Sequence, residues 1–374
     1  MKKTAKLYIA SALLFAGCVA QDDYSVYFCE PESNLVDIKY DSLVLERFVP
    51  EVYGVSYVGY SGLSGDKLYF ADHLYANLYR FDADVKFEDV VIRRGNGPHE
   101  IPTNGVEAYF VSADGHHYFL DSTTNLFEFD KDFNLVNSLF YYWSKKLTQG
   151  EKCERTDSYC TSWGTNVNLF VSGNKMYTNV SGESEDFNIT IPEYYKLARI
   201  IEPRDLFTGA PYPLLGRLSP AIGYMTAFQG SFFTITDEGD FHVAYEADDL
   251  MYVYDKNYWL KYSFGQRGRD MDKGYKPLSI NNFRKELDEE LQTRGHYTSM
   301  NVVGDFTFRT YVTGKPSCET RLQIYEGTTM VGDIVVPEGF NVIGKIGQYF
   351  YSGFICDEEN ETMEAYRFKL LEQN

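Results

Sequence analysis

Along most of the chain, apolar and polar positions alternate with a period of two. Tyr79 and Phe81 oppose Leu78 and Arg80, Phe127 and Phe129 oppose Leu126 and Glu128, and Tyr366 and Phe368 oppose Arg367 and Lys369. Successive side chains of an extended chain point to opposite faces, so this period predicts strands. The first two are followed by short polar hairpins, Asp82-Ala83-Asp84 and Asp130-Lys131-Asp132, and Asp255-Lys256-Asn257 is a third; each precedes a further strand-like run.

The pattern repeats. GDKLYFADHLYANLYRFD (Gly65 to Asp82) matches GDFHVAYEADDLMYVYD (Gly239 to Asp255) with one gap, and DGHHYFLDSTTNLFEFD (Asp114 to Asp130) is a nearer copy. Weaker starts stand at Gly173 (GNKMY), Gly304 (GDFTF) and Gly347 (GQYFY). Taking starts at 65, 115, 173, 239, 304 and 347, the units are spaced 43 to 66 residues apart, room for about four short strands each. A lone four-stranded sheet cannot bury both faces, but sheets stacked side by side in a ring can. The expected fold is all-β: a six-bladed β-propeller of four-stranded antiparallel blades, one domain over residues 37–374. The last unit is short by a strand. DIKYDSLVLERF, Asp37 to Phe48, precedes the first repeat and is expected to pair with the final blade and latch the ring.

One stretch breaks the rhythm. In SINNFRKELDEELQTRGH, Ser279 is a candidate N-cap, Ile280, Phe283, Leu287 and Leu291 share one helical face, and Gly295 offers an end. A helical insertion over 279–295 is expected to pack on the propeller; the alternative is a lid over one face.

Composition agrees with many short strands: 32 Tyr and 27 Phe, punctuated by 30 Gly and 12 Pro. The N-terminus, MKKTAKLYIASALLFAGC, joins a basic start to an apolar run from Leu7 to Gly17 that ends at Cys18. At about 16 Å as a helix, that run is too short for the roughly 30 Å of a bilayer core. Small residues before a cysteine resemble a bacterial lipoprotein signal: residues 1–17 would be the signal peptide, Cys18 the lipidated residue, residues 18–36 a tether and the acyl chains the link to the membrane. Losing residues 1–17 and their three lysines moves the formal charge from −19 to −22. That balance argues against nucleic acid and against an anionic lipid surface. Five cysteines remain beside Cys18, namely Cys29, Cys153, Cys160, Cys318 and Cys356; Cys153 with Cys160 and Cys318 with Cys356 are candidate pairs in an oxidising envelope.

RRGNGPHE, Arg93 to Glu100, is the most suggestive motif. A phosphate loop would lead into a helix; here Pro98, Pro102 and the strand-like VEAYFV follow. A structural turn fits better, with Gly95 and Gly97 at positive φ, Pro98 stiffening it and Glu100 pairing with Arg93 or Arg94. SFGQRGRDMD, with Arg267, occupies the corresponding place in the fourth unit, so the motif marks a passage between blades. Arg93, Arg94, Glu100 and Arg267 are the candidate ligand-binding residues, for an acidic ligand. The run from Arg94 to Glu100 resembles the G-x-G-P-x-E motif of the six-bladed β-propeller lipoproteins of Bacteroidetes, families of unknown function. In that family an aromatic and a glycine often precede the motif, whereas Val91 and Ile92 stand here and Phe264-Gly265 keep that form in the fourth unit. Gln21-Asp22-Asp23, just after Cys18, resembles the acidic signal that sends such lipoproteins to the outer face of the outer membrane; a periplasmic orientation is the alternative.

No Ser-His-Asp order, G-x-S-x-G or H-E-x-x-H occurs. His116 and His117 are adjacent on one strand and point to opposite faces. Asp72, Asp121 and Glu246 fall at the same place in three units, candidates to converge on calcium as in propeller lactonases; otherwise they accept turn N–H groups. DKDFN, Asp130 to Asn134, lacks the glycine and glutamate of a calcium loop and reads as a hairpin. Two functions follow: a lipid-anchored envelope module binding a glycan, peptide or envelope protein, or a calcium-dependent hydrolase acting at the central channel.

Overall fold

A computed structural model describes residues 24–31, 35–121, 125–140, 168–180 and 188–371. Cys18, Gln21-Asp22-Asp23, Cys153 and Cys160 lie outside the described residues. The chain forms six antiparallel sheets, the blades of a propeller. The first comprises Gly59–Ser64, Lys67–Asp72, Leu78–Phe81 and Phe87–Arg94, and the second Val106–Val111, His117–Asp121, Asn125–Phe129 and Leu135–Phe140. The third shows Leu169–Ser172, Lys175–Asn179 and Ile201–Asp205 among the described residues; the fourth has Ser231–Ile235, Phe241–Tyr245, Met251–Tyr254 and Leu260–Phe264. Arg294–Val303, Phe306–Gly314, Thr320–Glu326 and Thr329–Val335 make the fifth, and Val342–Ile346, Tyr349–Ser352 and Thr362–Phe368 the core of the sixth. The opening strands touch in succession, and that of the sixth touches that of the first, closing a ring.

The period-two alternation now has a physical role. Leu68, Phe70, Tyr79 and Phe81 of the first blade face Tyr351, Met363 and Ala365 of the sixth. Their neighbours Tyr69, Ala71 and Leu78 face Tyr109, Phe119, Phe127 and Phe129 of the second. Both faces of a blade are therefore interior, which is why Leu68 to Asp72 are all buried. Equivalent clusters fill the other four interfaces.

Recurring glycines sit one strand inside each blade. Gly65, Gly115, Gly173, Gly239, Gly304 and Gly347 all have positive φ, from 57° to 86°, and each turns the first strand into the second. In the first, third, fifth and sixth blades the glycine opens a two-residue loop, the II′ pattern in which the first loop residue needs φ > 0. The third-to-fourth strand hairpins share another device. Asp82, Asp130 and Asp255 each accept the N–H groups two and four residues on, at 2.9–3.0 Å. The bulky residue between, Val85, Phe133 or Tyr258, takes φ near +60°. DKDFN is thus a hairpin, with Asn134 bonded to the Asp130 carboxylate.

The N-terminal segment girdles three blades. Glu46–Phe48 pairs antiparallel with Thr362–Phe368 as an outer strand of the sixth blade, while Val36–Tyr40 runs parallel to Thr329–Val335 on the fifth. The stretch expected to form one latch strand is divided between two blade edges. Further upstream, Tyr24 donates to Leu218 O (2.9 Å), Tyr254 donates to Tyr27 O (2.6 Å), and Phe28 meets Tyr252 edge-on at 5.1 Å.

The helical insertion is shorter than expected. A 3₁₀ turn, Ile280–Asn282, leads into an α-helix, Phe283–Thr293. Ser279 makes no side-chain cap; its N–H donates instead to Glu286 Oε2 (2.6 Å). Gly295 does not end the helix but lies in the next strand, where a Cβ would sit 2.5 Å from Met271 Cγ and 2.6 Å from Thr313 O. No residue of the helix is fully buried, and Phe283, Leu287 and Glu290 are half-buried, so it lies on the surface of the propeller rather than in a blade interface.

Candidate functional site

The RRGNGPHE turn closes on itself. Phe87–Arg94 ends in Gly95, and the chain doubles back so that Glu100–Ile101 pairs parallel with Arg93–Arg94. Glu100 spans the turn: Gly97 N–H donates to its Oε2 at 2.6 Å. A Cβ on Gly95 would lie 2.1 Å from that same oxygen, so this glycine makes room for the carboxylate. Gly97 does not have positive φ. Glu100 forms no ion pair with Arg93 or Arg94 among the described residues, because its carboxylate is committed to the turn. Arg94 donates to Asn104 Oδ1.

That geometry opens a cleft of about 480 Å³ on the perimeter between the first and second blades. Arg80, Val91 and Arg93 line one side, Gly97 to Glu100 the rim, and Asp132 and Phe133 the other side. His99 Nδ1 lies 2.7 Å from Phe133 O, tying the turn to the hairpin of the second blade. Phe133, held by its hairpin at φ 62°, carries Arg80 over its ring at 5.6 Å. Arg80 is neutralised by Glu88 (3.1 Å) and Asp89 (3.0 Å). Arg93 is exposed and makes no ion pair among the described residues, so its guanidinium is open to a ligand although Asp89, Glu100 and Asp132 also line the cleft. Of the residues expected to bind a ligand, Arg93 and Glu100 line this cleft; Arg80, His99 and Phe133 line it as well, and the hairpin aspartate before Phe133 is their one signal in the sequence.

The four candidate ligand residues do not form one site. Arg267 belongs to the passage between the fourth and fifth blades, where it donates to Met271 O (2.9 Å). That turn is occupied by the fifth blade itself. Tyr325 accepts from Gln266 N–H (3.0 Å), Tyr297 from Gly268 N–H (3.2 Å) and Tyr311 from Arg269 N–H (2.8 Å). A Cβ on Gly268 would meet the Tyr311 ring at 2.5 Å, and one on Gly265 would meet Asp249 O at 2.3 Å. In the fourth unit the motif serves packing.

The strand-end acids are likewise spoken for. Asp72, fully buried, accepts from Ser56 N–H and Oγ–H (both 2.7 Å), Leu74 N–H (2.9 Å) and Tyr75 N–H (2.7 Å). Asp121 accepts from Thr103 Oγ1 (3.0 Å) and Asn125 N–H (2.8 Å). Glu246 accepts from Gly230 N–H (2.7 Å), and burial pushes its carboxyl up to about 7. Each serves its own blade, and among the described residues no three His, Cys, Asp or Glu side chains are grouped to hold a metal. In the fourth blade the hydroxyl-to-acid contact made by Ser56 and Thr103 passes instead to Ser219 and Asp248.

Desolvation pushes buried His117 and half-buried His242 down to about 3 and about 4, and His117 Nδ1 meets Tyr109 Oη at 2.7 Å. Cys29, Cys318 and Cys356 are free thiols. The expected Cys318–Cys356 bridge is absent: Cys318 lies in an exposed turn of the fifth blade, and Cys356 in the strand Ile355–Asp357 of the sixth.

The fold has solved counterparts. A member of the DUF4221 family from Bacteroides vulgatus superposes with a TM-score of 0.61 at 12% identity over 87% of this chain and 97% of that one. An exported-protein candidate from Bacteroides fragilis gives 0.54 at 13% identity over 91% and 98%. No protein-family profile and no curated protein matches the sequence. At these identities the likeness establishes the architecture: this chain is a six-bladed β-propeller of the kind seen in those two Bacteroides proteins.

Proposed function

We propose that this protein is a lipid-anchored propeller of the bacterial cell envelope, tethered through Cys18 to the outer membrane, that acts as a binding or scaffolding module. The cleft between the first and second blades is its binding site, and a peptide or glycan bearing carboxylates is the ligand class. One observation carries the reading: Arg93 stands unpaired at a rim whose own carboxylate is engaged by Gly97. An acidic group docking there would gain a charge-assisted bond without competing against an internal partner. Phe133, half-buried with Arg80 over its ring, adds an apolar edge beside it. The sequence up to Cys18 supports the anchor, and the exported-protein candidate among the structural neighbours agrees with an envelope address.

The test uses acidic and neutral peptide and glycan arrays probed with the wild-type chain and Arg93→Ala. Acidic members should be retained by the wild type and lost on substitution, with the melting temperature unchanged because Arg93 supports no fold contact. Equal retention by both proteins would remove the cleft from the function.

A further inference from the structure

The helix Phe283–Thr293 and the 3₁₀ turn before it present a partly open apolar face. Ile280 is 68% and Leu291 44% exposed, and Phe283 and Leu287 on the same face are half-buried. Among the described strands it packs extensively on none; the loop before it reaches it where Lys276 N–H donates to Glu290 Oε2 (3.4 Å). It is nevertheless fixed at both ends. Buried Leu278 donates its N–H to Met225 O (2.7 Å), and Arg294 pairs with Glu290 (3.4 Å) and Asp272 (2.5 Å). An isolated helix of eleven residues is marginal in water, so a surface that covers the face would stabilise it.

The loop that holds the base of this helix also holds the start of the described chain. Tyr24 donates to Leu218 O, seven residues before Met225, and Tyr224 between them is 44% exposed. Cys18 lies six residues before Tyr24, a reach of at most about 20 Å. Tyr24 and the helix lie on the same propeller face, because passages between blades all leave on one side of an antiparallel ring, so an acyl anchor at Cys18 would be within that reach of this face.

We infer that Ile280 to Leu291 docks on the bilayer beside the anchor, laying this propeller face on a zwitterionic headgroup surface with Ile280, Leu291 and Tyr224 in the interface. The inference rests on the lipid-anchor reading. The helix bears Glu286, Asp288, Glu289 and Glu290 against Arg284 and Lys285, and the mature chain is strongly acidic, so neutral headgroups are the matching surface and anionic lipids repel it. Two contacts, one covalent and one interfacial, would fix the orientation of the perimeter cleft relative to the membrane.

Hydrogen exchange of the full lipidated chain on phosphatidylethanolamine/phosphatidylcholine nanodiscs tests this, compared with the Cys18→Ser chain free in buffer. Amides of 284–293 should exchange at least about tenfold more slowly on the bilayer, and the gain should vanish in Ile280→Ser/Leu291→Ser, both exposed positions that leave the fold intact. Unchanged exchange in a chain shown by mass to be acylated overturns the docking alone. A chain that carries no acyl group overturns the anchor reading. Docking is then decided by sedimentation of the Cys18→Ser chain with the same vesicles, where binding lost in the double variant supports it and no binding refutes it.

Discussion

Replacing Asp72 by alanine tests whether the strand-end acids build the fold or hold a metal. Its carboxylate is fully buried and accepts four hydrogen bonds, two of them from Ser56 in the segment that precedes the first blade. A bond to a charged group contributes roughly 1.5–3 kcal/mol, so losing the two Ser56 bonds alone costs about 3–6 kcal/mol; water can reach the Leu74 and Tyr75 amides and replace theirs. Over 374 residues the unfolding entropy is about 0.8 kcal/mol/K, which converts that loss to a fall in melting temperature of about 4–8 °C. Ser56→Ala, which removes only the hydroxyl, should fall by about half as much or less. Both are measured by calorimetry with calcium and with chelator. A variant that melts within about 1 °C of wild type, or calcium that stabilises the wild type and not Asp72→Ala, would refute the structural role.

Other consequences follow from the same geometry. Gly268→Ala drives a Cβ into the Tyr311 ring and should cost about 1–3 kcal/mol, whereas Gly97→Ala meets only the movable Glu100 side chain and should change the cleft more than the stability; paired thermal melts separate them. His117 and His242 stay neutral in the fold over most of the pH range, while the unfolded chain takes up protons near 6.5. Their contribution is therefore present above that pH and is lost as pH falls toward about 4 and about 3. Glu246 has the opposite sign: raised to about 7, it favours the fold below about 4.5, and that contribution is lost as pH rises through 7. Glu246→Gln should thus raise the melting temperature at pH 8 more than at pH 4.5, as read by calorimetry.

The propeller was legible because its rules are local. A tight turn between first and second strands needs a residue at φ > 0, which is why Gly65 and its five counterparts recur, four of them in II′ loops; a blade buried on both faces needs apolar residues at both phases of the alternation. Asp130 could be read as a turn for the same reason. Contacts between segments distant in sequence were not legible. The partner of Asp72 is Ser56, sixteen residues upstream, and the cleft brings a hairpin of one blade against a turn of another. Gly295 resembled a helix end by position, but close approach to Met271 and Thr313, not a cap, requires it. How far the helix face is covered was not legible, because an amphipathic pattern specifies that a face is to be covered and is silent about what covers it. Tyrosine abundance, which suggests a sugar-lined channel equally well, is spent in large part on stitching blades and segments together, as where Tyr245 donates to Arg217 O and Tyr351 to Ala83 O.

The ring's closure by the N-terminal segment can be measured as a covalent link. Glu46 lies opposite Arg367 across the seam between the two ends of the chain. In a protein whose native cysteines have been replaced by serine, Glu46→Cys with Arg367→Cys should form an intramolecular disulfide on mild oxidation, seen by mass spectrometry as one linked peptide pair. The variant should unfold at a higher temperature oxidised than reduced. Failure of that pair to link while the protein remains folded and monomeric would contradict the closed six-bladed ring.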